Sequence, residues 1–156
     1  MTDLTLYFDA QHAVEVHDWI IANSGGLSGV KDVGLLKSVL QHIQNDDYYP
    51  TFDAKLTHLI FGVNKFHAFN DGNKRASLTL GAYFLTLNGY DYCVPQFVLQ
   101  MENIVVALAE GLIPKDLLQR VVISLIEEDD FSDALKLDLL EAMGQRYMTD
   151  KEDEDY

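Results

Sequence analysis

His67, Phe69, Asp71, Gly72, Asn73, Lys74 and Arg75 fall within nine consecutive residues, HAFNDGNKR. Together they can handle a phosphate. His67 is a candidate proton acceptor. Asp71 is a hard oxygen ligand suited to a phosphate-bound Mg²⁺, an ion that commonly takes only one or two protein carboxylates. Gly72 lets backbone approach a ligand, Asn73 offers an amide donor, and Lys74 and Arg75 supply cationic donors for phosphate oxygens. From Lys55 to Arg75 the chain holds four basic residues and one acid, a net of +3. Each residue alone has a plainer reading. His12, His17, His42 and His58 read as surface or cap histidines, Phe69 as a core anchor, and Asp71-Gly72 as a turn. The conjunction carries the argument.

Such a loop needs helices on both sides. Leu56, Leu59, Ile60, Val63 and Phe66 recur at helical spacing before it, and Ala76 to Leu87 is apolar on nearly every face after it, as in a helix buried inside a bundle. The second helix starts near Lys74, so its unpaired N–H groups and positive dipole end face the loop, an anion site in outline. Upstream, Asp9 can cap a helix closed by Ser24-Gly25-Gly26, and Asp32 a second carrying Leu36, Val39, Leu40 and Ile43. Downstream, Gln96–Ala109 and Lys115–Ile126 read as helices. Only Leu4–Phe8 and Tyr90–Val94 look extended. The expectation is an all-α domain of about six or seven helices.

With 156 residues and 48% apolar content the chain suits one core. Its formal charge of −14 disfavours a broad grip on nucleic acid or anionic membrane. A single cysteine, Cys93, excludes an internal disulfide and a multi-thiolate metal site, and fits a reducing cytoplasm. No uninterrupted apolar run approaches a membrane span, and no secretory leader is visible. The acidity is uneven. Residues 127–156 hold 12 acids and three bases, leaving −5 for residues 1–126. The expected organisation is a domain over 1–126, a helical extension over 127–147 with Leu135, Leu139 and Leu140 at helical spacing, and an acidic, disordered tail over 148–156.

The nine-residue segment matches the Fic motif, His-x-Phe-x-Asp/Glu-Gly-Asn-Gly/Lys-Arg, at seven specified positions. His17-Asp18, Gly25-Gly26-Leu27-Ser28-Gly29-Val30, Asp32-Val33-Gly34-Leu35-Leu36, Phe84-Leu-Thr-Leu-Asn88-Gly89 and Ala107-Leu-Ala-Glu-Gly111 resemble segments of the death-on-curing (Doc) branch. The resemblance implies an all-helical Fic core. In it, His67 deprotonates a hydroxyl of a target protein, Asp71 holds Mg²⁺ on ATP, and Gly72, Asn73, Lys74 and Arg75 cradle the phosphates. It also places a flap, a small hairpin at most, over Gln44–Asp53, with Tyr48, Tyr49 and Phe52 as a target-docking surface.

Fic adenylyltransferases carry Gly at the position of Lys74 and a second Arg at that of Leu78. Both departures favour transfer of the γ-phosphoryl group, as in Doc, over transfer of AMP. Gly72 is the residue of adenylylating members, and it accommodates either ligand pose. The resemblance implies a toxin kinase acting on a threonine of elongation factor Tu and blocking translation; the alternatives are an adenylyltransferase and a non-catalytic antitoxin-binding module. The family's inhibitory Ser/Thr-x-x-x-Glu-Gly/Asn helix is missing, because Glu102 and Glu110 are preceded four places earlier by Val98 and Val106. Inhibition in trans by an antitoxin of the prevents-host-death type is the expectation.

Overall fold

The computed structural model describes residues 4–127 and 130–154, those from 145 onward as helix only. The described residues form α1 (Ala10–Ser24), α2 (Val33–His42), α3 (Phe52–Lys65), α4 (Asn73–Leu87), a 3₁₀ turn (Asp91–Cys93), α5 (Val94–Ala109), α6 (Lys115–Glu127) and α7 (Asp133–Glu154). Among the described residues the only β-bridge is isolated, between Val30 and Phe69. The fold is all-α, as the periodicity predicts.

Local chemistry sets most boundaries. Asp9, Asp32 and Thr51 cap α1, α2 and α3 by accepting the backbone N–H of His12, Leu35 and Ala54. Gly25, at φ 83°, closes α1. The cap at Thr51 starts α3 earlier than expected, so Phe52 and Asp53 are helical. The remaining loop, 44–51, holds turns but no strand, so the small hairpin does not form. The extended reading of 90–94 also fails. Tyr90 turns into the 3₁₀ segment, and Pro95, tolerated in a helix's first turn, opens α5. Leu4–Phe8 is irregular rather than paired.

α3 is the axis of the bundle, touching α2, α4, α5 and α6, while α4 packs between α1, α3 and α5. Leu56, Leu59, Ile60, Leu80, Phe84, Leu85, Phe97, Met101 and Leu108 are fully buried. The stretch Asp91–Ala109 is long and apolar enough to cross a membrane by length and composition alone. Its apolar character has another use, since Phe97, Met101, Ile104 and Leu108 lie in this core. Asn64, also buried, donates to Ser77 Oγ (3.3 Å) and to Val105 O (2.9 Å), tying the last turn of α3 to α4 and α5. Lys65 donates to Leu108 O at the carbonyl end of α5. The end of α3, from which the candidate loop departs, is thereby fixed.

Beyond the bundle, Leu135 and Leu139 of α7 are buried, and α7 packs on α6. Arg120 and Asp138 form an ion pair between them (2.6 Å). α7 continues past Met143 to Glu154, so residues 148–154, expected as a tail, form its last turns. Residues 155 and 156 lie outside the described residues.

Candidate active site

The loop from Phe66 to Gly72 joins α3 to α4. Phe66 closes α3 and His67 follows at φ 53°, the left-handed region that side chains other than Gly and Asn seldom enter. Strain of this kind persists only where surroundings enforce it. Here they do. Ala68 O accepts the N–H groups of Lys31 (2.8 Å) and Asp32 (3.0 Å), and Asn70 N donates to Gly29 O (3.1 Å). Asn70 Nδ2 adds a bond to Ser28 O (3.2 Å). The glycine-rich α1–α2 connection is therefore a strap across the loop.

Phe69 is buried, as expected of an anchor, and its partner is His17. The two rings stack at 3.9 Å and 4°. His17 is fully buried, and its Nε2–H donates to Asp71 O at 2.6 Å. A carbonyl can only accept, so the proton sits on Nε2. Nδ1 has no hydrogen-bond partner among the described residues. By sequence His17 reads as an ordinary surface or cap histidine, although His17-Asp18 belongs to the Doc-like signature. The structure makes it the clamp under the loop.

Asp71 Oδ2 accepts Leu27 N (3.0 Å) and Oδ1 accepts Gly72 N (2.8 Å). These two amides, with the Arg75 charge, hold its carboxyl below the usual range, so it is ionised at neutral pH. Each oxygen keeps a lone pair. No group of three or more His, Cys, Asp or Glu that could hold a metal ion occurs among the described residues. A cation here would take one protein carboxylate and complete its shell from phosphate and water. The donor set fits Mg²⁺ in that manner.

Gly72, at φ 73°, is the N-cap of α4 and supplies no side-chain cap, unlike Asp9, Asp32 and Thr51. The first N–H groups of α4 are thus open to an anion. Lys74 is exposed beside them. Arg75 Nη1 donates to Gly25 O (3.0 Å) and to Ser24 Oγ, which pins the guanidinium at the carbonyl end of α1. Its Nη2 lies 3.0 Å from where a Cβ on Gly26 would stand and 3.4 Å from one on Gly72. Asn73 is placed differently from a free phosphate donor. Its Oδ1 accepts Phe69 N (3.2 Å) and its Nδ2 reaches Phe69 O (3.1 Å), with a long 3.4 Å contact to His67 Nδ1. It braces the loop and orients the exposed His67 ring.

Tyr48, Tyr49 and Phe52 do not form one surface. Tyr48 is 78% exposed. Tyr49 lies on His58, with rings 4.5 Å apart and its hydroxyl 3.1 Å from Nδ1. Phe52 turns inward onto Phe84 and Tyr90. The positive segment is also smaller than its charge count. Lys55 has a side chain only 3% exposed and is spent on Asp46 Oδ1 (2.7 Å) and Ile43 O (2.8 Å), at the far end of α3. Lys65 is spent on α5, so the local cations are Lys74 and Arg75.

The family model described as Fic/DOC family matches residues 7–85, which contain every element of this site. The chain belongs to the Fic/DOC family. It is also similar to a protein named Protein kinase doc from Escherichia phage P1, at 29% identity over 87 residues, covering 53% of this chain and 68% of that protein. The family match thus spans the strap, His17 and the His67–Arg75 loop alike. It stops short of α5, α6 and α7.

Proposed function

We propose that this protein is a Doc-type toxin that transfers the γ-phosphoryl group of ATP to a hydroxyl side chain of a target protein. The observation that carries the reading is the glycine-capped, open N-terminus of α4 with Asp71, Lys74 and Arg75 around it and His67 beside Asn73. Similarity to the phage kinase supports phosphoryl over adenylyl transfer. Lys74 and Leu78, standing where adenylylating members have Gly and Arg, support it too. By the resemblance to the Doc branch the target would be a threonine of elongation factor Tu, modification would arrest translation in the cytoplasm, and a prevents-host-death antitoxin would inhibit in trans.

The chemistry follows from the placement. The α4 amides, Lys74 and Arg75 hold the phosphates in line with the acceptor and offset the charge that spreads over the transferred group. The acceptor oxygen bonds the γ-phosphorus as the bond to the β,γ-bridging oxygen breaks. His67 takes the hydroxyl proton, and ADP leaves with the bond's electrons. Mg²⁺, held by Asp71, would supply charge neutralisation on the phosphates. Asn73, Phe69 and His17 keep His67 and Asp71 in register, a positioning role.

Incubation with elongation factor Tu and either γ- or α-labelled ATP tests the reading. Label from the γ-position, lost in His67→Ala, is the expected result. Label from the α-position would replace kinase by adenylyltransferase, the reading Gly72 permits. Absence of both labels with nucleotide still bound would leave the antitoxin-binding module.

A further inference from the structure

Trp19 is the only tryptophan in the chain and is 64% exposed. A large aromatic held in water on a helix surface forgoes the stabilisation that burying its apolar area would bring. Trp19 lines a cavity of about 270 Å³ between α1 and α4, with Ile20, Asn23, Ser24, Arg75, Leu78 and Thr79. The cavity is therefore walled by an indole and a leucine, and edged by an amide, two hydroxyls and a guanidinium.

Arg75 connects this cavity to the loop. It lines the cavity, its Nη1 is tied to Ser24 and Gly25, and its Nη2 lies against Gly26 and Gly72. Leu78 and Thr79 stand on α4 about one turn beyond Arg75, about 4.5 and 6 Å along the axis. A ligand whose phosphates lie on the open end of α4 therefore has the Trp19 cavity next to it, across one guanidinium. The polar groups at its edge can meet the ring nitrogens and exocyclic groups of a planar base, and the indole face can stack on it. Asn23 is itself steadied by its bond to Trp19 O (2.8 Å).

We propose that the Trp19–Leu78 cavity is the subsite for the nucleotide's planar base, with Trp19 as its stacking platform. The proposal rests on the phosphate-site reading above and adds an orientation to it. With the base against Trp19, the phosphate chain crosses Arg75 and its far end points to the loop that carries His67. Leu78 has a positive role in this arrangement, closing an apolar wall where a second arginine would place a charge.

The single tryptophan makes the test direct. Trp19 emission and calorimetric binding are followed on the full chain with Mg²⁺ and either ATP or tripolyphosphate, which has the phosphates but no base. ATP should quench the emission and tripolyphosphate should bind without doing so. Trp19→Ala should weaken ATP binding roughly tenfold, the size of a lost base–aromatic stack, while tripolyphosphate binds unchanged; Trp19→Phe should recover most of the loss. ATP binding with flat emission, or Trp19→Ala binding ATP as tightly as the parent, overturns the base subsite alone. Failure of both ligands to bind overturns the phosphate site together with it.

Discussion

His58 offers a quantitative test of how the loop before α3 is held. It is 5% exposed, and its Nδ1 accepts from Lys115 Nζ (2.9 Å) and lies 3.1 Å from the Tyr49 hydroxyl, with the His42 ring 5.9 Å away. A proton on Nδ1 would remove that acceptor and add a second cation against Lys115. Burial, then Lys115 and then His42, lower the pKa from 6.5 to about 4. The folded state therefore resists a proton that the unfolded chain accepts. The His58 contribution to stability is intact above pH 6.5 and falls with acidification until about pH 4. Linkage over this interval gives a loss of about 2 kcal/mol by pH 5 and about 3 kcal/mol by pH 4. Urea unfolding from pH 8 to pH 5 measures it. His58→Gln keeps an acceptor but does not titrate, so its stability difference between these pH values should be about 2 kcal/mol smaller than the parent's. Equal differences in the two proteins would refute the argument. Loosening at low pH should also expose the 44–51 loop, which Tyr49 pins, to protease first.

Three further outcomes follow from the geometry. His17→Phe keeps the stack on Phe69 but loses the donor to Asp71 O. It should cost about 1–2 kcal/mol in chemical unfolding, with hydrogen exchange speeding most at the Leu27 and Gly72 amides. Gly26→Ala puts a Cβ 2.6 Å from Asp71 Oδ2 at φ 116°, so calorimetry should show tripolyphosphate binding weakened at least tenfold while helix content by circular dichroism is kept. Lys55→Met removes the donor that holds Ile43 O and Asp46. It should lower stability by about 1–3 kcal/mol, and limited proteolysis should cut within 44–51 faster than in the parent.

Much of this molecule is written in local patterns. Asp9 and Asp32 as caps, Gly25 as a stop and the three-to-four spacing of Leu56, Leu59, Ile60 and Val63 are short-range signals, so the helices follow from them. Thr51 was the same kind of signal, masked by the polar and aromatic loop around it. Tyr90–Val94 misled because short apolar runs suit a strand or a helix start equally, and Pro95 decided for the helix. His67, Asp71, Gly72, Lys74 and Arg75 were identifiable as a group because their chemistry lies in one segment.

The tertiary structure decided everything that depended on partners distant in sequence. Lys55 counted as site charge until the fold turned it toward Asp46 at the opposite end of α3. Phe52 counted as docking surface until its ring met Phe84 and Tyr90. His17 read as a surface or cap histidine until α1 brought it beneath Phe69 and Asp71, the latter 54 positions away. Trp19 acquired meaning only when α1 lay beside α4 and enclosed a cavity with Arg75. Sequence by itself determined which residues could do chemistry and which segments would be helical, because both depend on residue type and near neighbours. Which of those residues are free to act was decided by packing, because a charge or a ring is spent once another element supplies its partner.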